Sequence, residues 1–340
     1  MEAKLNFRLT VLNPGGRDEP QDFPEGAGET ALPHPPTNFH AYAACTRGSF
    51  QRDTKDAIAQ ATPVLVLLRG DFGASEHAVD ALQTAGRFVA VSLKETGLHQ
   101  IGDQLQHSTR LARFVRIVKK ADDCLAPTPE AADLYRAVRG LEHVGFIPTP
   151  YPVDDPRWDF SRPIEQRAGI FIGTREWDVP SRNHLGALMV ARQLSERTGE
   201  PVTVFDCDGR RGARLLSEIG FVAGKLRVLT RKLGYPEYLR EVARHKIVLQ
   251  LDTSFVPGQV AGDALLCRVP CVGGNGAIDR LGFPETCGGS RSIAELGQIA
   301  ERFLTDADFY RRAVAAMVPA ALKVLGFEVV AKQLAQFFRL

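Results

Sequence analysis

Apolar runs of strand length alternate with segments of helical spacing along most of the chain. In the first half, two segments, SEHAVDALQTAG and STRLARFVRIVKKA, have helical spacing. A third, TPEAADLYRAVRG, predicts a helix with Thr128 as its N-cap, Pro129 in its first turn and Gly140 after its end. Between these helices, five apolar runs predict buried parallel strands: FRLTVL (7–12), VLVLL (64–68), FVAVSL (88–93), DCLA (123–126) and VGFI (144–147).

The second half repeats this alternation. A helix is predicted from about Asn183 to Arg197, ended by Gly199. Three helical stretches close the chain: SIAELGQIAERFL (292–304), DADFYRRAVAAMVP (306–319) and GFEVVAKQLAQFFRL (326–340). The predicted strands are AGIFIGT (168–174), VTVF (202–205), LRVL (226–229), KIVLQL (246–251) and CVGG (271–274). We therefore predict an α/β protein with two doubly wound, Rossmann-like domains facing each other across a cleft.

Two proline-rich stretches interrupt the pattern. Residues 14–36 lack periodicity and predict a long loop after the first strand, and IPTPYPVDDPRWDFSRP (147–163) separates the two halves. We predict an N-terminal domain over 1–150, a linker over 151–165, a second domain over 166–325, and a terminal helix over 326–340 that packs back on the first domain. The alternative for this last helix is an interfacial membrane helix.

Charge and cysteine content exclude several classes of protein. The 340 residues include 42 basic and 40 acidic side chains, so no overall field favours nucleic acid. The start of the chain has no secretory pattern, and no run approaches 18 apolar residues, so we expect a cytoplasmic protein, with peripheral membrane contact as an alternative. The six cysteines include no CxxC pair, which favours buried thiols over a zinc site.

Four stretches, in this order, resemble GT-B glycosyltransferases, particularly the large retaining family with nucleotide-sugar donors and an E-x7-E motif. They are ADDCLAPTPEAADLYRAV with VGFIPTPYPVDDP, then IFIGTREWDVPSRNHLGAL, then LTRKLGYPEYLREVARHKIVLQ, and last the segment from Phe255 to Val272. In the last segment Gly258, Asp263 and Pro270 match positions of the family pattern, whereas Phe255 stands where the family has its first Glu.

The resemblance implies a site for a UDP- or GDP-linked sugar as substrate, with no cofactor and no metal. Gly258 and Gln259 would begin a helix whose amides face the diphosphate, and Asp263 would accept hydrogen bonds from ribose. The other predicted donor-binding residues are Arg175 and Arg182, as cations on phosphate, and Gly15 and Gly16, which follow the first strand. Because Phe255 cannot bind the sugar as a Glu would, Asp252, Ser254 or Gln259 are candidates for that contact.

Catalytic candidates and a possible metal motif follow other strands. Glu95 and, second, His99 are the candidate catalytic residues near the acceptor. Asp206 and Asp208 form a D-x-D like that of the other glycosyltransferase fold, but their place after a second-domain strand favours a turn with solvated acids over a metal site.

We therefore predict a metal-independent glycosyltransferase that adds a sugar to a glycan, lipid-linked or small-molecule acceptor in polysaccharide or glycoconjugate synthesis. Two alternatives remain: a nucleotide-sugar epimerase of the same fold, and a protein that binds nucleotide sugars without catalysis. The basic stretches GRRGAR (209–214) and RKLG (231–234) are more typical of solvated loops than of contacts with a nucleotide or an anionic lipid surface.

Overall fold

The structure, a computed structural model, describes residues 7–173, 176–206 and 211–339. These residues form two compact units. The first unit comprises the described residues up to Arg157, together with Phe255–Pro257 and the residues from Leu325 onward. The second unit comprises Trp158–Ser254 and Gly258–Val324.

The first unit contains a seven-stranded sheet in the order β2-β3-β1-β4-β5-β6-β7. All neighbouring strands are parallel except the pair β2 and β3. The predicted strands 64–68 and 123–126 are confirmed to the residue. The strands are β1 Thr10–Leu12, β2 Gln21–Asp22, β3 Ser49–Gln51, β4 Val64–Leu68, β5 Val89–Leu93, β6 Asp123–Ala126 and β7 Val144–Phe146.

The helices of the first unit cover both faces of this sheet and bury two apolar clusters. The predicted cap is confirmed, because the Thr128 hydroxyl accepts a hydrogen bond from the amide of Ala131. The terminal helix α14 packs beside α1 in one of these clusters, where Leu334 and Tyr42 are fully buried. These helices are α1 Asn38–Cys45, α2 Thr54–Ala59, α3 Gly73–Thr84, α4 Leu98–Leu105, α5 Ser108–Lys120, α6 Pro129–Arg139 and α14 Phe327–Phe337.

The second unit contains a five-stranded, wholly parallel sheet in the order β10-β9-β8-β11-β12. Its strands are β8 Ile170–Ile172, β9 Val202–Phe205, β10 Leu226–Leu229, β11 Ile247–Leu249 and β12 Cys271–Val272. Its helices are α7 His184–Thr198, α8 Arg211–Ile219, α9 Tyr235–Val242, α10 Gln259–Leu266, α11 Ala277–Gly282, α12 Ile293–Thr305 and α13 Ala307–Leu325.

Two sequence predictions are corrected. The stretch 14–36 contains a short strand, β2, which pairs with β3. The helical segment predicted to end at Pro319 continues through it to Leu325. Among the described helices, none is long and apolar enough to cross a membrane.

Candidate functional site

The chain of the second unit changes direction across its sheet between β8 and β11. From β8 it adds β9 and β10 on one side, and it then returns to add β11 and β12 on the other. In open α/β sheets, ligands bind at such a switch point, beside the carboxyl ends of the strands. The segments that follow β8 and β11 are therefore the first place to look for a site.

Direct hydrogen bonds join these two segments. The amide of Thr253, after β11, donates to the carbonyl of Ser181 over 2.8 Å. The hydroxyl groups of Ser254 and Ser181 lie 2.9 Å apart, also within hydrogen-bond distance. The two loops at the switch point are therefore held as one surface.

Arg182 lies in a short 3-10 turn, Pro180–Arg182, directly before α7. Its guanidinium donates hydrogen bonds to the carboxylates of Asp252 and Glu176, and its side chain is only 15% exposed. Burial works to lower the pKa of Arg182, but these two carboxylates raise it above its ordinary value, so the side chain stays charged. The predicted phosphate cation is thus held at the switch point by two carboxylates of the chain. Arg175, the second predicted cation, lies outside the described residues.

Gly258 is the N-cap of α10 and has a φ of +96°, so the prediction that it begins this helix is confirmed. A β-carbon at this position would lie 2.8 Å from a carboxyl oxygen of Asp279 and 3.2 Å from the Ile278 β-carbon. The backbone conformation and the close packing both require glycine. Gln259 is the first residue of the helix and is half-buried.

Asp263 is fully buried on α10. One of its carboxylate oxygens accepts a 2.5 Å hydrogen bond from the phenol of Tyr235, the first residue of α9. The Tyr235 ring packs against Trp158, with 6.1 Å between ring centroids. Tyr235 was not predicted from the sequence, where only the aromatic character of YPEY marks it.

A second buried carboxyl, Asp279 of α11, was also missed. Gln250, which follows β11, donates a 2.7 Å hydrogen bond to it. Burial, and secondarily the negative charge of Asp252, raises the pKa of Asp279 from 3.8 to about 7. The carboxyl fits against two glycines, Gly258 and Gly274, since a β-carbon on either would approach it within 2.8 Å. It therefore links the start of α10 to the turn after β12.

In the first unit, Gly15 and Gly16 form the end of a tight turn. The amide of Gly16 donates to the carbonyl of Asn13 over 2.9 Å, and Gly15 has a φ of +67°. With Pro14 at its second position, the turn has the features of type II. Arg69, which follows β4, donates a 3.0 Å hydrogen bond to the carbonyl of Gly15. This turn lies at the switch point of the first sheet, where β1 has β3 on one side and β4 on the other.

The catalytic candidates follow β5 in the first unit. Glu95 is exposed, and its carboxylate accepts a 3.2 Å hydrogen bond from Gln100 of α4. His99 is half-buried near the start of the same helix. The segment Phe255–Pro257 belongs to the first unit. Phe255 has a φ of +50°. Val256 packs close to Gly97, because a β-carbon added to Gly97 would lie 2.9 Å from the Val256 side chain.

The D-x-D motif is only half described. Asp206 is buried at the end of β9, and its carboxylate fills the space beside Gly212 at the start of α8. Asp208 lies outside the described residues. In the part of the chain that the structure describes, no group of three or more His, Cys, Asp or Glu side chains is placed to hold a metal ion.

The second unit thus has a helix N-terminus after β11, a mostly buried arginine paired with Asp252 after the same strand, and an aspartate–tyrosine pair between α10 and α9. Helix amides and a guanidinium suit an anion, and a carboxylate or phenol suits a hydroxyl-bearing group. This combination can bind a phosphorylated, hydroxyl-rich ligand.

Similarity to known proteins is found in structure rather than in sequence. No model of a protein family matches the sequence, and none of the curated proteins matches it either. Solved structures do match at low sequence identity. The α,α-trehalose 6-phosphate synthase of Burkholderia multivorans is 11% identical, with a TM-score of 0.65, covering 98% of this chain and 96% of that one.

Two further structures are similar. A UDP-forming α,α-trehalose-phosphate synthase from Burkholderia xenovorans is 11% identical, with a TM-score of 0.63, covering 98% of this chain and 99% of that one. A point mutant of Staphylococcus aureus TarM, in complex with Fondaparinux, α-GlcNAc-glycerol and UDP, is 9% identical, with a TM-score of 0.61. That match covers 82% of this chain and 55% of TarM. At these identities the likeness shows the fold alone: the chain has the α/β architecture of the GT-B glycosyltransferases.

Proposed function

We propose that this protein is a glycosyltransferase that takes its sugar from a UDP- or GDP-linked donor. The observation that carries this proposal is the set of groups at the switch point of the second sheet, on a fold whose solved relatives include a UDP-forming synthase and a protein in complex with UDP. The acceptor class we propose is a glycan, a lipid-linked sugar or a small molecule, in cytoplasmic polysaccharide or glycoconjugate synthesis.

In this proposal, the diphosphate of the donor lies at the N-terminus of α10. The helix amides after Gly258 and the helix dipole attract the charge that grows on the leaving group. Arg182 supplies a positive charge that its carboxylate partners, Asp252 and Glu176, offset in part, so a phosphate competes with them for this guanidinium. These groups neutralise the leaving group without a metal, and activity that persists in EDTA is the expected result.

Ribose recognition falls to the pair formed by Asp263 and Tyr235. Asp263 has no exposed surface, whereas Tyr235 is half-buried. A ribose hydroxyl therefore meets the phenol first, and Asp263 acts by fixing the orientation of that phenol. In the first unit, Glu95 and His99 remain the proposed acid–base candidates toward the acceptor.

Binding measurements with UDP and GDP test the donor site. Arg182→Ala and Asp263→Ala should each weaken nucleotide binding about tenfold or more, because each removes a charged partner of the ligand or of its binding group. Arg192→Ala is the matched control, since Arg192 is a half-buried arginine on α7 whose ion pair, with Glu196, lies one turn away on the same helix. Equal affinity of all three variants and the wild type would sink this assignment.

A protein that binds nucleotide sugars without transferring them is the second candidate, and Phe255 favours it. The resembled family has a Glu there, and phenylalanine cannot accept a hydrogen bond from the donor sugar. Incubation with a panel of donors alone separates the possibilities. Slow release of nucleotide by hydrolysis supports transfer, interconversion of the sugar supports an epimerase, and tight binding without either supports the second candidate.

A further inference from the structure

Five arginines surround one cavity of about 490 Å³ in the second unit, away from the switch point. The cavity lies between β10, an edge strand of the sheet, and one face of α9. The arginines are Arg162, Arg227, Arg231, Arg240 and Arg244. We call this cavity the arginine groove.

Helical spacing explains why α9 contributes to the groove. Arg240 and Glu241 follow Glu237 by three and four residues, and Arg244, just past the end of α9, follows them by four and three, so all four lie along one side. The other side carries Tyr238, Leu239 and Val242, which are buried in the core. The polar stripe of α9 therefore faces the cavity while its apolar stripe holds the helix on the sheet.

Charge in the groove is unbalanced. Two glutamates, Glu237 and Glu241, stand against the five arginines, which leaves a net charge of three positive units. The buried carboxylate of Glu241 serves two arginines at once, with 2.6 Å to Arg227 and 3.5 Å to Arg244. One carboxylate cannot neutralise two guanidinium groups, so this three-residue contact keeps a net positive charge.

Protection of the edge strand does not account for this arrangement. Charged side chains on an edge strand discourage pairing with another chain, and Arg227 on β10 serves that purpose. Arg162 precedes the sheet, however, and Arg240 and Arg244 belong to α9 or follow it. Arg240 also lies 5.8 Å from the ring centre of Phe160, which supports its guanidinium from one side.

We propose that the arginine groove is a second binding site, for a ligand that carries phosphate groups. Guanidinium groups bind phosphate oxygens in pairs, and a cavity of this volume holds a phosphorylated small molecule or a phospholipid headgroup. The site lies outside the proposed donor-binding residues and does not depend on the proposed function.

The test uses Arg162→Gln/Arg240→Gln, because neither side chain forms an ion pair with a carboxylate among the described residues and Arg240 is exposed. Arg192→Gln/Arg214→Gln is the control; it removes the same charge from surface ion pairs elsewhere in this unit. Calorimetric titration with inorganic pyrophosphate measures the soluble ligand, and co-sedimentation with phosphatidylcholine vesicles, with and without phosphatidylglycerol, measures the headgroup.

The groove variant should bind at least about tenfold more weakly than the wild type, and the control should differ by less than about twofold. Loss confined to pyrophosphate identifies a soluble ligand, and loss confined to anionic vesicles identifies a headgroup. Glu237→Gln removes an exposed negative charge from the groove and should strengthen the same binding about threefold. Equal binding by the groove variant and the control, or no binding of either probe to the wild type, overturns the proposal.

Discussion

The phenol of Tyr235 donates a 2.5 Å hydrogen bond to the carboxylate of Asp263, and this contact joins the start of α9 to the middle of α10. The carboxylate is fully buried, so bulk water cannot replace the phenol as a donor. The pair therefore couples the stability of this unit to the orientation of a group beside the candidate nucleotide site.

Removal of the phenol oxygen should act on both stability and binding. We expect Tyr235→Phe to lower the free energy of unfolding by about 1–3 kcal/mol, because it takes a donor from a buried carboxyl group. UDP affinity should fall as well. Urea unfolding and calorimetric titration measure the two effects. Tyr151→Phe, a buried tyrosine of the first unit, is the control: it should leave UDP binding unchanged. A stability loss without any change in UDP binding contradicts the ribose role of Tyr235.

Asp279 should make stability depend on pH in the direction opposite to an ordinary ion-paired carboxylate. Burial and the charge of Asp252 raise its pKa in the folded protein to about 7, against 3.8 for an unperturbed aspartate. Between these values the folded state binds more protons than the unfolded state, so the contribution of Asp279 to stability is present at low pH and is lost as pH rises toward 7.

Comparison with Asp279→Asn isolates this effect. Between pH 5 and pH 8 the wild type should lose about 2–3 kcal/mol of unfolding free energy relative to the variant. Asparagine keeps a hydrogen-bond acceptor for Gln250 and does not titrate, so it provides the baseline. Urea unfolding of both proteins at the two pH values measures the difference. Parallel pH dependence of the two proteins would show that Asp279 is not protonated near neutral pH.

Strands with several buried apolar residues could be predicted from the sequence. Val64–Leu68, Asp123–Ala126 and Val202–Phe205 match the prediction to the residue. Elements between 14 and 59 were missed for physical reasons. The strand Ser49–Gln51 buries polar side chains, and the Ser49 hydroxyl hydrogen-bonds with Thr10 of β1, so no apolar pattern marks it. The helix Asn38–Cys45 is buried on several sides and has no polar stripe to reveal its period.

The candidate site, like the fold, could be predicted only in part from the sequence. The glycine before α10 and the turn at Gly15 were recognisable, because positive φ values select glycine in the sequence itself. The partners of Arg182, Asp263 and Asp279 were not recognisable. Apart from Glu176, which lies six residues before Arg182, each partner is at least 28 residues away in the sequence, and only the fold of the second unit brings it near.

Gly258 should tolerate no side chain. Alanine at Gly258 must adopt a φ near +96° and place its β-carbon 2.8 Å from the Asp279 carboxyl oxygen. Gly220 is the matched control, since it has a φ of +69° with no atom within 4 Å of the added carbon. Gly220→Ala should cost about 1–2 kcal/mol for the left-handed backbone alone, and Gly258→Ala about 1–3 kcal/mol more for the overpacking. Equal costs in urea unfolding would show that the contact with Asp279 is relieved by a small shift of its side chain.

Release of Arg182 from one of its carboxylates should strengthen phosphate binding. Glu176 is the exposed partner, with half of its side chain in solvent, whereas Asp252 is buried and also accepts a hydrogen bond from the amide of Ser254. Glu176→Gln removes a competing negative charge while Asp252 continues to hold the guanidinium. We expect UDP affinity to rise about threefold to tenfold.

Two further variants test whether this gain is specific to Glu176: one at Asp252 and one at an ion pair elsewhere on the second unit. Asp252→Asn should cost about 3–5 kcal/mol of unfolding free energy, because it leaves the mostly buried Arg182 without its buried counter-charge. Glu196→Gln, on the exposed pair with Arg192, should leave UDP affinity unchanged. Because UDP competes with Glu176 for the same guanidinium, the gain in Glu176→Gln should disappear when Arg182→Ala is added. A gain that survives in that double variant would mean that Glu176 acts through general electrostatics and that Arg182 does not bind the phosphate.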